Sequence, residues 1–484
     1  MADGSGWRGC AVQVTHGRVQ PIGSHLVGGA DLVVASNRGP VSFSFDDAGR
    51  PVRAGSGGGL AAALLPLLQG KGTHWVACAM SDADRMAAAD GMLKVDGIDL
   101  TMVQPDPAAY RMAYDVVANS TLWFCHHHLF DLARRPRLDR FWTEAWEHYR
   151  ELNQAFAAVI CDTSAHGATV LVQDYHLSLL PGMLAMQRAD LRCVHFTHTP
   201  FADPSALRVL PERAARDLLG GMAAAAGCGF HTTRWEAAFL ACCADNGVEA
   251  PPTFVSPLSP DPEYLARRAA SPRCAAASEY LDALIGDRRM VLSVDRAEPS
   301  KNLLRGFWSF DELLHRHPEV RGNVVLLSLT YPSRLSLPEY LAYSTEIAHT
   351  AQRVNDTWGT ADWTPVLLDV ADDVDRSLAA LMRYDVLLVN PLRDGLNLVA
   401  KEGPLLNTKK GVLALSREAG SFAELREEAV ELNPFDVTGT ADVLLQALEM
   451  TAEERGLRAG ALRALVMRRK PDQWLTDQIA LARS

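Results

Sequence analysis

The chain has 484 residues, 48% hydrophobic and 22% charged, with a formal net charge of -11. Such a composition belongs to a globular protein with a large core, and at roughly 150 residues per domain it allows two to four domains. The acidic balance argues against a general nucleic-acid or membrane-surface binder, although local basic pockets for anionic ligands remain compatible with it.

In chain order, residues 1–29 carry many glycines and little periodicity, and read as a loose extension. They lack the basic-then-apolar pattern of a signal peptide. The first half then offers short apolar, β-rich runs at Asp31–Ala35, His74–Met80, Thr169–Gln173, Cys193–Thr197 and Thr253–Leu258. The second half offers Met290–Val294, Asn323–Leu329, Pro365–Val370, Val386–Asn390, Gly411–Ser416 and Ala429–Asn433. Runs apolar on both faces, alternating with helical patterns, predict parallel sheets covered by helices on each side. Eleven such runs are too many for one sheet, so the expectation is an α/β protein of two doubly wound domains. The boundaries read as 30–262 for the first domain and 263–465 for the second, followed by a helix over 466–484 that can pack back on the first. Two such sheets facing each other enclose a cleft.

No apolar run reaches about 18 residues, so no membrane-spanning helix is expected. The nine cysteines are scattered and contain no CxxC, which fits a reducing cytoplasm. No His/Cys/Asp cluster has zinc spacing. The histidines in "CHHH", Cys125–His128, would point about 100° apart on a helix and would not share an ion easily.

Chemistry concentrates where predicted strands end. "SNRGP", Ser36–Pro40, carries Arg38, a candidate phosphate ligand or a plain surface turn. "GSGGGL", Gly55–Leu60, is glycine-rich before a helix, but it is neither a P-loop nor a clean dinucleotide fingerprint. "VQDYHL" and "FTHTPF" deliver Asp174, His176 and His198 past neighbouring strands. "SVDRAEPSKN" places Arg296 and Lys301 five residues apart, a fork and a point charge suited to a diphosphate. "NPLRDGLNLVAKEG", Asn390–Gly403, sets Asp394, Asn397 and Glu402 just beyond another strand.

Taken together, "SNRGP", "GGGLAAAL", "NSTLWF", "VQDYHL", "HTPF", "RAEPSKN", "YPSR" and "RDGLNLVAKE" resemble the trehalose-6-phosphate synthases. These are retaining glycosyltransferases of family 20 with the GT-B fold, two Rossmann-like domains facing a central cleft. The resemblance covers about residues 30–480. It implies a glucosyl transfer from UDP- or GDP-glucose to glucose 6-phosphate, with no cofactor and no metal. Carried over by position, it implies an acceptor-phosphate pocket of Arg38, Tyr114 and Arg334 with Trp123 beside it, and Asp174 on the acceptor sugar. Gly59 would lie over the donor phosphates and His198 against the transferred glucose. Arg296 and Lys301 would neutralise the leaving diphosphate. Asp394 would hold glucose hydroxyls, the backbone of Leu396, Asn397, Leu398 and Val399 would meet the diphosphate, and Glu402 would bind the ribose.

The chain departs from the family pattern in places. Gln173 stands where "HDYHL" has histidine, Ala202 where proline is common, and "EPSKN" where "DYSKG" is usual. Two other readings therefore stand beside the first. One is a relative with another phosphorylated acceptor, of the glucosylglycerol-phosphate or cyclitol-coupling type. The other is a non-catalytic sugar-phosphate sensor. Neither the donor base nor the oligomeric state, a homo-oligomer included, follows from these residues.

Overall fold

The computed structural model describes residues 29–56, 59–89 and 91–484. The extension expected over 1–29 lies, apart from Gly29, outside the described residues. The first sheet contains β1 (Ala30–Ser36), β4 (Thr73–Cys78), β5 (Leu93–Val95), β6 (Ile98–Val103), β7 (Ser164–Gln173), β8 (Arg192–Thr197), β9 (Gly227–Phe230) and β10 (Thr253–Val255). Their order is β10-β9-β8-β7-β1-β4-β6-β5, parallel throughout except for the β5–β6 pair. A separate hairpin joins β2 (Val41–Phe45) to β3 (Pro51–Ser56).

The second sheet contains β11 (Arg289–Arg296), β12 (Val324–Tyr331), β13 (Val366–Val370), β14 (Val386–Val389), β15 (Val412–Ser416) and β16 (Val430–Leu432). Its order is β13-β12-β11-β14-β15-β16, all parallel. The central strands are buried along almost their whole length, because helices cover both faces. All eleven strands expected from the sequence are present in some form, with shifted ends. The hairpin, β5, β6 and β9 were not expected. β9 reads Gly-Cys-Gly-Phe, too short and glycine-rich to signal a strand.

Each sheet has its own core. The second gathers buried residues from Leu265 to Val466. In the first, helix Arg140–Thr163 starts at the cap Asp139 and buries Trp142, Trp146, Tyr149, Phe156 and Ile160 at helical spacing. Helix Gln473–Arg483 returns to the first sheet. Its Trp474 meets Phe196 edge to face at 5.2 Å, and Leu481 packs against Gly227, where a side chain would leave no room. Leu337 and Tyr340 of the second domain are likewise buried in the first domain's core. Among the described residues, no helix is long and apolar enough to cross a membrane.

Candidate active site

In both sheets the strand order reverses beside the first strand, between β1 and β7 and between β11 and β14. Ligands of doubly wound sheets bind at such switch points, outside the carboxyl ends of the strands. Arg38 follows β1, Asp174 follows β7, Arg296 and Lys301 follow β11, and Asp394 to Glu402 follow β14. His198 and Arg334 follow the next strands out, β8 and β12. The sequence motifs thus fall at the two switch points and their immediate neighbours.

Several of these residues hold unusual backbone. Asp174, Asn302, Arg334 and Asn397 all have positive φ, at 70°, 60°, 45° and 74°. Non-glycine residues seldom adopt it, and such strain clusters at functional sites. It also explains one departure from the family. The last residue of "EPSKN" must be left-handed, and asparagine is the residue that replaces glycine there most readily. Asn302 also donates to the Pro434 carbonyl at 2.8 Å and begins helix Leu303–Arg316.

On the second domain, Lys301 Nζ donates to Asp394 Oδ2 at 2.5 Å and lies 3.8 Å from Asp295 Oδ1. Burial pushes the Asp295 carboxyl up to about 7, against the pull of Lys301. Burial works the same way on Asp394, but Lys301 outweighs it and holds Asp394 below its usual value. Of the two carboxyls beside Lys301, Asp394 is therefore the one held ionised, while Asp295 takes up a proton as pH falls through about 7. Asn397 supports this arrangement: its Nδ2 donates to Asp394 Oδ2 at 3.1 Å and its Oδ1 accepts the Ala400 N–H. Leu398 and Val399 open helix Val399–Leu406, where amides have no carbonyl within the helix and attract anions. Glu402 lies one turn on, and burial pushes its carboxyl up to about 7.

Arg296 and Arg334 meet at one carboxylate. Glu298 is 1% exposed, 3.2 Å from Arg296 Nη1 and 3.6 Å from Arg334 Nη1. Arg334 also donates to the hydroxyls of Tyr175, at 3.2 Å, and Tyr340, and lies over the Trp123 ring with its guanidinium carbon 5.2 Å from the centroid. Trp123 and Tyr175 belong to the first domain, so Arg334 crosses the cleft. Tyr114 stacks on His176 at 5.7 Å, and it stands on Met112–Leu122, an eleven-residue segment wound as a π-helix. Such wide turns are rare and often mark functional sites. Burial above all, with smaller contributions from Arg334 and Arg38, lowers His176 to about 3. Arg38 and His176 follow β1 and β7, the two strands at the first sheet's switch point, and Arg334 reaches toward them from the opposite domain. Arg38 itself is exposed.

Asp174 Oδ1 accepts the His198 N–H at 3.1 Å and the Thr199 N–H at 3.3 Å, and burial pushes its carboxyl up to about 6. The His198 ring has both nitrogens engaged: Nδ1 with His231 Nε2 at 3.1 Å and Nε2 with Gln173 Oε1 at 2.9 Å. The Leu258 N–H donates to His231 Nδ1. Every tautomer in this chain follows, and His198 must donate to Gln173. The residue that departs from "HDYHL" thus occupies the His198 Nε2 position. Opposite, Gly395 is pressed against the His198 carbonyl, where an added Cβ would sit 1.8 Å from the oxygen.

Gly59 begins helix Gly59–Leu68, but the glycines before it, Gly57 and Gly58, lie outside the described residues. The "CHHH" histidines have separate partners. His126 Nδ1 accepts the Ala202 N–H, His127 Nδ1 donates to the Trp123 carbonyl, and His128 lies 3.6 Å from Asp203. Among the described residues, no three His, Cys, Asp or Glu side chains are grouped to hold a metal. Sequence reasoning missed Glu298, Asp295, Tyr175, Tyr340 and His231. The first two lie inside "SVDRAEPSKN", whose sequence signal is its two cations. Nothing in the sequence points to Tyr340.

Residues 30–483 match the model of glycosyltransferase family 20. The trehalose-6-phosphate synthase of Mycolicibacterium vanbaalenii is 32% identical over 474 residues, covering 92% of this chain and 94% of its own. That of Mycobacterium bovis is 31% identical over 479 residues, covering 93% and 94%. The solved synthase from E. coli bound with UDP-2-fluoro glucose superposes with a TM-score of 0.82 at 26% identity, over 94% of this chain and 99% of that one. The UDP-forming α,α-trehalose-phosphate synthase of Burkholderia vietnamiensis gives 0.83 at 27%, with the same coverage. By sequence over nearly its whole length and by its GT-B architecture, the chain belongs to glycosyltransferase family 20 and is a glycosyltransferase.

Proposed function

We propose that the enzyme moves glucose from a nucleoside diphosphate glucose to glucose 6-phosphate, with retention, to form α,α-trehalose 6-phosphate. The observation that carries this reading is a pair of anion sites in one cleft. Arg334 projects from the second domain over Trp123 and donates to the Tyr175 hydroxyl, next to the His176 ring on which Tyr114 stacks, and Arg38 follows β1 at the same switch point. Arg296 and Lys301 stand one loop away, beside a helix N-terminus. A sugar phosphate fits the first site and a diphosphate the second.

In this mechanism the bond from glucose C1 to the diphosphate breaks while a bond to the acceptor hydroxyl forms on the same face. The acceptor's proton passes to a leaving diphosphate oxygen. Charge grows on that diphosphate, and Arg296, Lys301 and the Leu398 and Val399 amides meet it ready-made. No carboxylate nucleophile is required. Asp394 is neutralised by Lys301, and Asp174 Oδ1 is occupied by two backbone amides, so neither matches the paired acid and nucleophile of a retaining hydrolase. We take the reaction to need no metal, since the two cations supply the neutralisation that a metal would otherwise provide.

Gln173 on His198 favours a second reading, another phosphorylated acceptor, because it changes the groups facing the sugar. One experiment separates them. The purified enzyme is given UDP- and GDP-glucose with glucose 6-phosphate, glycerol 3-phosphate or free glucose, with chelator present. Nucleotide release and trehalose 6-phosphate with glucose 6-phosphate alone support the first reading. Turnover only with another acceptor supports the second, and no nucleotide release with any pair refutes both.

A further inference from the structure

Glu298 touches neither proposed substrate site directly, yet both lean on it. It lies between Arg296 and Lys301 in sequence and is 1% exposed. A single oxygen, Oε1, accepts from Ser333 Oγ at 2.9 Å and is paired with Arg296 at 3.2 Å and Arg334 at 3.6 Å. The two arginines come from the loops after β11 and β12. The Arg296 side chain is 54% exposed, so this ion pair is what holds a long, mobile side chain in one direction. Burial alone would raise the Glu298 carboxyl, but Arg296, Arg334 and Lys301 hold it down at about 2, so it is fully charged.

We propose that Glu298 is a positioning residue whose one oxygen holds the donor-side Arg296 and the acceptor-side Arg334 together, so that the diphosphate and sugar-phosphate sites act as one unit. The inference rests on the function proposed above and goes beyond it. Two consequences follow with opposite signs. A buried negative charge beside the diphosphate site opposes nucleotide binding, because like charges repel strongly where water is scarce. The same carboxylate orients the cations that must meet the transition state, and orientation is worth more in rate than in ground-state affinity. Glu298 therefore weakens binding and raises turnover.

The test uses Glu298→Gln and Glu298→Asp in the full chain. It measures Tm, the Kd for UDP by calorimetry (GDP if the wild type prefers it) and kcat. Glu298→Gln keeps the shape and removes the charge. It is expected to bind UDP about threefold or more tightly, since a nearby charge is removed, while kcat falls by about tenfold. Glu298→Asp keeps the charge but is one methylene short of both arginines. Its UDP affinity should stay within about twofold of the wild type, with kcat reduced by a similar factor. Weaker or unchanged UDP binding in Glu298→Gln overturns the proposal, since a merely structural residue would lose affinity, kcat and Tm together. If Glu298→Gln does not fold, wild-type kcat in Glu298→Asp overturns it alone. A wild type that neither binds nucleotide nor turns over instead refutes the underlying function.

Discussion

Gly395→Ala tests whether the closed contact between the domains is the working geometry. The Cβ it adds would lie 1.8 Å from the His198 carbonyl oxygen, where ordinary contact begins near 3.4 Å. The two chains must therefore part by about 1.6 Å, the difference between those distances. Neither side can yield easily. The His198 N–H is fastened to Asp174, and Gly395 is backed by Gly420, whose own added Cβ would lie 1.9 Å from the Gly395 oxygen. Trp235 Nε1 also donates to that oxygen at 2.9 Å, across the domains. The neighbours displaced are Asp394 on one side and His198 on the other. A misplacement of about 1 Å costs on the order of 10²-fold in rate, or about 2.7 kcal/mol of barrier. kcat/KM for nucleotide release should fall by at least that factor. UDP affinity should remain, because Arg296, Lys301 and Glu402 all sit on the second domain. Tm should fall by no more than about 4 °C, since each sheet keeps its own core. A variant with normal Tm and kcat/KM within about threefold of the wild type would refute the reasoning, since an ångström-scale displacement cannot be that cheap at a reacting centre.

Arg296→Ala and Lys301→Met should each lower kcat by at least about tenfold through lost charge stabilisation; near-normal turnover in a folded variant removes that residue from the role. Lys301→Met should also cost stability, up to about 3 kcal/mol by denaturant titration, because it strands the largely but not fully buried Asp394. Arg334→Lys should raise KM for glucose 6-phosphate far more than for the nucleotide sugar, because lysine lacks the fork and the planar face that lies on Trp123; equal effects on both substrates would count against the phosphate pocket. Glu402, pushed up to about 7 by burial, binds hydroxyl donors best when ionised. Its carboxylate is present above that pKa and lost below it, so UDP affinity should weaken as pH falls from 8 to 6. Glu402→Gln should flatten that profile, and an unchanged profile in the variant would assign the titration elsewhere.

The site was legible in the sequence to the extent that its residues follow strands. β1, β7, β11 and β14 are short apolar runs, and the loops after them must carry the ligand groups in a doubly wound sheet. Arg38, Asp174, Arg296, Lys301, Asp394 and Glu402 could be picked out on that basis. The groups that missed detection reach the site by a different route. Tyr340 comes from helix Pro338–Trp358 and is buried in the first domain's core. Local periodicity assigns it to a helix face and says nothing of which domain covers that face. His231 follows β9, a strand too brief to recognise, yet it sets the tautomer of His198.

By itself, the sequence determined the two-sheet α/β architecture, the family, and which loops hold charge, because strand periodicity and loop chemistry are local properties of the chain. Only the tertiary structure decided that Arg334 crosses to Trp123, that Gln173 occupies His198, and that Glu298 joins two arginines from different loops. Those are contacts between segments far apart in sequence or on neighbouring strands, and their geometry depends on how the sheets twist and how closely the domains approach. Residue type predicts that an arginine can bind an anion; packing selects which carboxylate it is already holding when the anion arrives.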